Sequence, residues 1–149
     1  MLIGHLAVLQ ETQLKEVITL NSFMSWNGGK KIKPRHIIPR FHLYYERYIE
    51  VFGRGGWILF AKPPGSDHEV FNDANSNISN LFYCVREHSD ELIEKLRFVL
   101  NCRDDLDRIK HIISEKAEIG DVQRAAEFYQ LIRYSYASEC DSFGGATRS

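Results

Sequence analysis

From Tyr48 to Phe60 the chain reads YIEVFGRGGWILF: two short apolar and aromatic runs separated by Gly53, Arg54, Gly55 and Gly56. No other stretch restricts the possible folds as much. A simple turn between two buried segments needs one glycine or two. Three within four positions point to a backbone that something other than protein must approach closely. Strand, glycine-rich loop and apolar continuation, in that order, are how α/β proteins build a nucleotide-type pocket. The loop backbone lies beside the ligand, and the following helix turns its N-terminus toward it.

Such a pocket needs a second element, an acidic residue at the end of the next strand, about 20 residues on, to hold ribose hydroxyls. The segment EVFND (69–73) supplies it, and Asp73 lies twenty positions after Gly53. A tight glycine turn followed by an Asx turn at Asn72 and Asp73 would produce the same letters. The phosphate-loop pattern GxxxxGK[ST] is absent, and in a GxGxxG reading the third glycine position is Ile58. A looser glycine turn suits a ligand with an adenosine and a small charged tail, and S-adenosylmethionine is such a ligand.

At 149 residues the chain amounts to one domain, with 44% hydrophobic and 26% charged residues and a net charge of -1. That balance excludes a disordered chain, and it leaves any affinity for nucleic acid to local patches. Cys84, Cys102 and Cys140 are odd in number and widely spaced, as in a reduced, intracellular protein without a structural zinc site. No window approaches 18 apolar residues, and the N-terminus is too short and too weakly basic for a signal peptide. The expectation is a cytoplasmic protein without a membrane partner.

Periodicity divides the chain into residues 1–20, a helical extension; 21–84, an α/β cofactor-binding part; 85–136, a helical lobe; and 137–149, a flexible tail. In the lobe, Leu92, Leu96 and Val99 form one stripe, and Asp121 is the expected N-cap of the last helix.

Four segments in order, SWNGGKK (25–31), YIEVFGRGGWILFAKPP (48–64), EVFNDAN (69–75) and AAEFYQLIRYSYAS (125–138), resemble the D12 class of adenine-specific DNA methyltransferases, most closely the phage and mobile-element members. The resemblance runs from about Asn21 to the C-terminus. It implies an α/β fold with a partial Rossmann-like methyltransferase sheet and a helical recognition lobe. It also implies S-adenosylmethionine as cofactor, double-stranded DNA as partner, and N6-adenine methylation as in restriction-modification systems. By the same resemblance Trp26, Gly28, Gly29 and Lys30 contribute to the cofactor pocket, Phe52, Gly53 and Gly55 line it, and Asp73 holds the ribose. A lysine after two glycines can reach a carboxylate, and a tryptophan can cover an apolar face.

Two departures accompany the likeness. Arg54 stands where glycine is usual, and an arginine tolerates that loop only with a negative φ. The [DN]PP[YFW] motif, whose acceptors hold the adenine amine and whose aromatic stacks on the flipped base, is missing. KPPG (62–65) has the prolines but neither the acceptor nor the aromatic. In the family this motif follows the recognition lobe, so the chain is expected to be truncated, or one half of a split enzyme whose other segment carries the motif. The alternative is a catalytically inactive DNA-binding or regulatory remnant.

For DNA, Lys30, Lys31, Lys33, Arg35, Arg40 and Arg47 oppose only Glu46, with Phe41, Tyr44 and Tyr45 interleaved. Lys31, Lys33 and Arg35 are the candidates from this run. Arg133 and Tyr134 on the last helix face DNA by resemblance, with Arg124 and Gln123 expected on the same side. A solvated helix face accounts for such charges equally well.

Overall fold

In the computed structural model Arg47–Glu50 (β1) and His68–Phe71 (β2) pair in parallel, Arg47 with His68 through Glu50 with Phe71. The described residues are 21–26, 34–42, 44–63, 68–100, 102–115, 118–138 and 140–143. The expected helix in 1–20 therefore lies outside them. Among the described residues the sheet has two strands, accompanied by six helices. The chain is of the α/β kind expected, and a wider Rossmann-like sheet is not part of what is described.

A helical turn, Pro34–Ile37 (α1), precedes β1, and Trp57–Ala61 (α2) connects the two strands. Four helices follow: Ser76–Glu87 (α3), Ser89–Leu96 (α4), Arg103–Ser114 (α5) and Asp121–Tyr134 (α6). α3 begins at Ser76 because Asn75 caps it, its side chain accepting the Asn77 N–H at 3.0 Å. α4 ends at Leu96, so Val99 does not continue the predicted stripe. Asp121, expected to cap α6, is instead its first helical residue, and Gly120 holds the cap position.

α6 is the centre of the helical part and packs against α3, α4 and α5. Its Ala125 and Ala126 are almost fully buried, and small side chains there let the neighbouring helices approach closely. The core joins Ile78, Leu81 and Cys84 of α3, Leu92 of α4, Leu106 and Ile109 of α5, and Val122, Phe128, Leu131 and Ile132 of α6. Met24, from the strap 21–26, enters the same core. After α6 the chain folds back: the Tyr136 N–H donates to Ser142 O at 2.7 Å, and Phe143 packs at the edge of the core under Arg103. Burial pushes the Cys140 thiol in this turn up to about 11, so it stays protonated. Among the described residues no helix is long and apolar enough to cross a membrane.

One charge in α6 is buried. Glu127 accepts from Arg108 of α5 at 3.1 and 3.3 Å and from Gln123 at 2.8 Å, while Arg108 also holds Asp105. Removing Arg108 would leave a carboxylate in the interior with one neutral donor. The half-exposed guanidinium moderates the effect, so Arg108→Ala should cost about 2 kcal/mol in urea unfolding, more than an exposed ion pair contributes.

Candidate functional site

Parallel strands bring their C-terminal ends to one side, and in this chain both ends carry the polar and glycine-rich loops. The loop after β1 is tied to the loop after β2 at two points. The Gly53 N–H donates to Asn72 O at 2.9 Å, and the Arg54 N–H donates to Asp73 Oδ2 at 2.8 Å. The Asn72 side chain adds a bond to Val51 O at 2.9 Å. Asp73 Oδ1 accepts the Asn75 N–H at 2.9 Å, so one carboxylate fixes both loops. Each oxygen keeps a further lone pair, because an ionised carboxylate offers about four acceptor sites.

Arg54 has φ 48, in the left-handed region, contrary to the negative φ expected of it. The bond from its N–H to Asp73 offsets the ~1–2 kcal/mol that a non-glycine residue loses there. Gly53 closes a turn with Gly56, whose N–H donates to Gly53 O at 2.8 Å, and Gly56 enters α2 at φ 67.

A Cβ at any of the three glycines would meet the protein's own aromatic rings, a packing requirement the spacing alone did not reveal. A Cβ on Gly53 would lie 2.2 Å from the Phe71 ring. That ring cannot yield easily, since it stacks on Phe82 of α3 with centroids 3.9 Å apart and planes within 15°. A Cβ on Gly55 would meet the Trp57 indole at 3.0 Å, and one on Gly56 would meet Phe82 and Phe60.

Beneath the loop lies a polar cluster that the sequence did not single out. Glu50, buried at the end of β1, accepts the Leu59 N–H at 3.0 Å and the Tyr48 hydroxyl at 3.1 Å through Oε2. Its carboxylate thus caps the first turn of the five-residue helix α2, which has no side-chain cap of its own. At the other end Lys62 is buried, pairs with Glu69 of β2 and lies 5.1 Å above the Tyr48 ring. Tyr48 and Glu69 are opposite each other in the sheet. The signal for Glu50 was present, since alternation puts it on the same strand face as Tyr48, turned inward from an apolar run.

The other predicted residues divide. Phe52, Gly53, Gly55 and Asp73 come together at the strand ends, Phe52 exposed and both glycines buried. Trp26 lies on the strap that borders the loop, where the Ser22 hydroxyl bonds both Gly55 O and Met24 O. Its ring packs on Phe128 of α6 at 5.8 Å. Gly28, Gly29, Lys30, Lys31 and Lys33 lie outside the described residues. Arg35 is exposed on α1. Arg133 is exposed on α6, with Tyr134 half-buried at the core edge. Arg124 does not join them: nine positions at 3.6 residues per turn set it about half a turn away from Arg133. Among the described residues no group of three or more His, Cys, Asp or Glu is placed to hold a metal.

The family profile described as "D12 class N6 adenine-specific DNA methyltransferase" matches residues 26–142. A curated relative, the type II methyltransferase M1.LlaDCHI of Lactococcus lactis subsp. cremoris, is 28% identical over 131 residues. The alignment takes in 82% of this chain and 44% of the relative, so the chain spans less than half the length of the protein it matches.

Two outcomes follow from the geometry. Gly53→Ala should destabilise by roughly 2–3 kcal/mol in denaturant unfolding, and in a Phe71→Leu background the same change should cost less than half as much. Burial, followed by the neighbouring Glu50 charge, raises the Tyr48 phenol above its ordinary value. The protonated hydroxyl is therefore favoured by folding, and its contribution is complete below pH ~10 and lost as pH rises beyond it. Alkaline unfolding titrations should show a shallower fall above pH ~10 for Tyr48→Phe than for the parent chain.

Proposed function

Since the chain belongs to the D12 class of N6 adenine-specific DNA methyltransferases, we propose that it forms the cofactor-binding portion of an S-adenosylmethionine-dependent enzyme that methylates adenine in double-stranded DNA. The observation that carries this reading is Asp73. Its carboxylate sits at the C-terminal end of a parallel strand pair, anchors the glycine loop through the Arg54 N–H, and keeps acceptor capacity for the two hydroxyls of a ribose. The donor set fits such a ligand, with a carboxylate for the sugar and the exposed, apolar Phe52 beside it for a base.

Asp73 holds the ribose and Phe52 lines the adenosine, with Gly53 and Gly55 giving the loop its shape; Trp26, Gly28, Gly29 and Lys30 complete the pocket toward the methionine end. The bound cofactor supplies an electrophilic methyl group on sulfur. The chain's own contribution is orientation, since the Glu50 carboxylate and the Lys62–Glu69 pair hold α2, and with it the loop, against the strands. The phosphate backbone of DNA is met by the basic run containing Lys31, Lys33 and Arg35 and by the exposed Arg133 with Tyr134. The [DN]PP[YFW] motif that would accept the adenine amine is not among these residues, so methyl transfer requires a further polypeptide segment.

Calorimetric titration of the purified chain with S-adenosylmethionine tests the reading. Saturable binding should weaken at least about tenfold in Asp73→Ala, equivalent to ~1.4 kcal/mol, with circular dichroism showing that the variant remains folded. A folded parent chain that takes up no S-adenosylmethionine would overturn the proposal and favour a remnant without cofactor function.

A further inference from the structure

Of the four residues 53–56 that form the glycine loop, only Arg54 has a side chain, and its backbone is in a conformation that suits one poorly. Its φ of 48 lies in the region that glycine, asparagine and aspartate enter readily and other residues do not. Gly53, Gly55 and Gly56 are buried, whereas Arg54 is exposed. The bond that ties the loop to Asp73 Oδ2 comes from the Arg54 main-chain N–H. A glycine at 54 would make the same bond without strain, so at that bond arginine offers the fold nothing that glycine lacks. Strain of this kind persists where a functional site uses the residue.

The surroundings indicate what the guanidinium takes. The loop lies at the C-terminal ends of the two strands, next to the exposed Phe52 and bonded to Asp73. A guanidinium turned into a pocket that holds a sulfonium would repel it, so the outward position is the favourable one. The strap 21–26 is bonded to the same loop through the Ser22 hydroxyl and Gly55 O, and the basic run Lys30, Lys31, Lys33 and Arg35 follows that strap in the sequence. The planar fork of an arginine, with five donors, matches the oxygens of a phosphate. We propose that Arg54 is a phosphate-binding residue for DNA, carried on the cofactor loop itself. This rests on the proposed function, and it gives Asp73 two ligands to serve: the ribose through its remaining lone pairs, and the DNA through the main chain of Arg54. One carboxylate then sets the spacing between the methyl donor and the strand that receives the methyl group.

Anisotropy titrations of a fluorescent DNA duplex of arbitrary sequence, over a series of salt concentrations and without cofactor, test the proposal. One phosphate contact adds about 0.9 to the slope of log affinity against log salt. Arg54→Gly should lower the slope by that amount and weaken binding about fivefold at the lowest salt. Arg54→Lys keeps the charge and should keep the slope, while Arg54→Gln should behave as Arg54→Gly does. The denaturant midpoint of Arg54→Gly should equal or exceed that of the parent, because the strain is relieved, so a lost contact cannot be mistaken for a lost fold. An unchanged slope, or a parent chain that binds no duplex, overturns the proposal. So does an Arg54→Gly chain less stable than the parent, which would assign the side chain to the fold. Weaker S-adenosylmethionine binding in Arg54→Gly with DNA binding unchanged also overturns it, and would assign the guanidinium to the carboxylate of the cofactor. Since the salt series contains no cofactor, a chain that fails to take up S-adenosylmethionine sinks the cofactor reading and leaves the phosphate contact to be judged by its slope.

Discussion

The stack of Phe71 on Phe82 is the contact through which the parts of this protein are assembled. Phe71 ends β2 and Phe82 lies in the middle of α3, so the pair fixes the sheet against its covering helix. The same Phe71 ring occupies the space a side chain at position 53 would need, which makes glycine obligatory where the loop leaves β1. From Phe82 the contact passes to Phe60 of α2 and to Phe23 of the strap, with centroids 6.0 and 5.1 Å away. The opposite side of α3 packs on α6 and so enters the main core.

Polar groups finish what the rings begin. A helix as short as α2 has little stability of its own, because nucleation is costly and few hydrogen bonds repay it. Glu50 at its start and the Lys62–Glu69 pair at its end hold it in place, and Tyr48 lies between the two clamps. At the upper edge of the sheet Asp73 has the corresponding role for the glycine loop and for the entry to α3. The loop geometry is thus determined by two carboxylates on adjacent strand ends.

Much of this was legible in the residues. The apolar run from Tyr48 and the segment EVFND (69–73) marked the places of β1 and β2, because these depend on local pattern. The conformation of Arg54 was not legible. Its positive φ depends on an acceptor nineteen positions away, and that pairing exists only once the strands are in register. The packing reason for Gly53 was hidden for the same cause, since Phe71 is remote from it in sequence. The burial of Lys62 likewise depends on a remote partner, Glu69 of β2. The opposed directions of Arg124 and Arg133, by contrast, follow from helical spacing alone once both are assigned to α6.

The strap from Ser22 to Trp26 has a consequence for how such a protein diversifies. It is bonded to the glycine loop through Ser22, and its Phe23 carbonyl receives the Tyr129 hydroxyl of α6 at 3.4 Å, while Met24 is buried among residues of both halves. No seam separates the sheet side from the helical side. A helical lobe taken from a relative would therefore not be a portable cassette. It would have to arrive with its own counterparts of Phe128 and Tyr129, so sequence change in the lobe is channelled to outward positions such as 133 and away from the face that holds the strap.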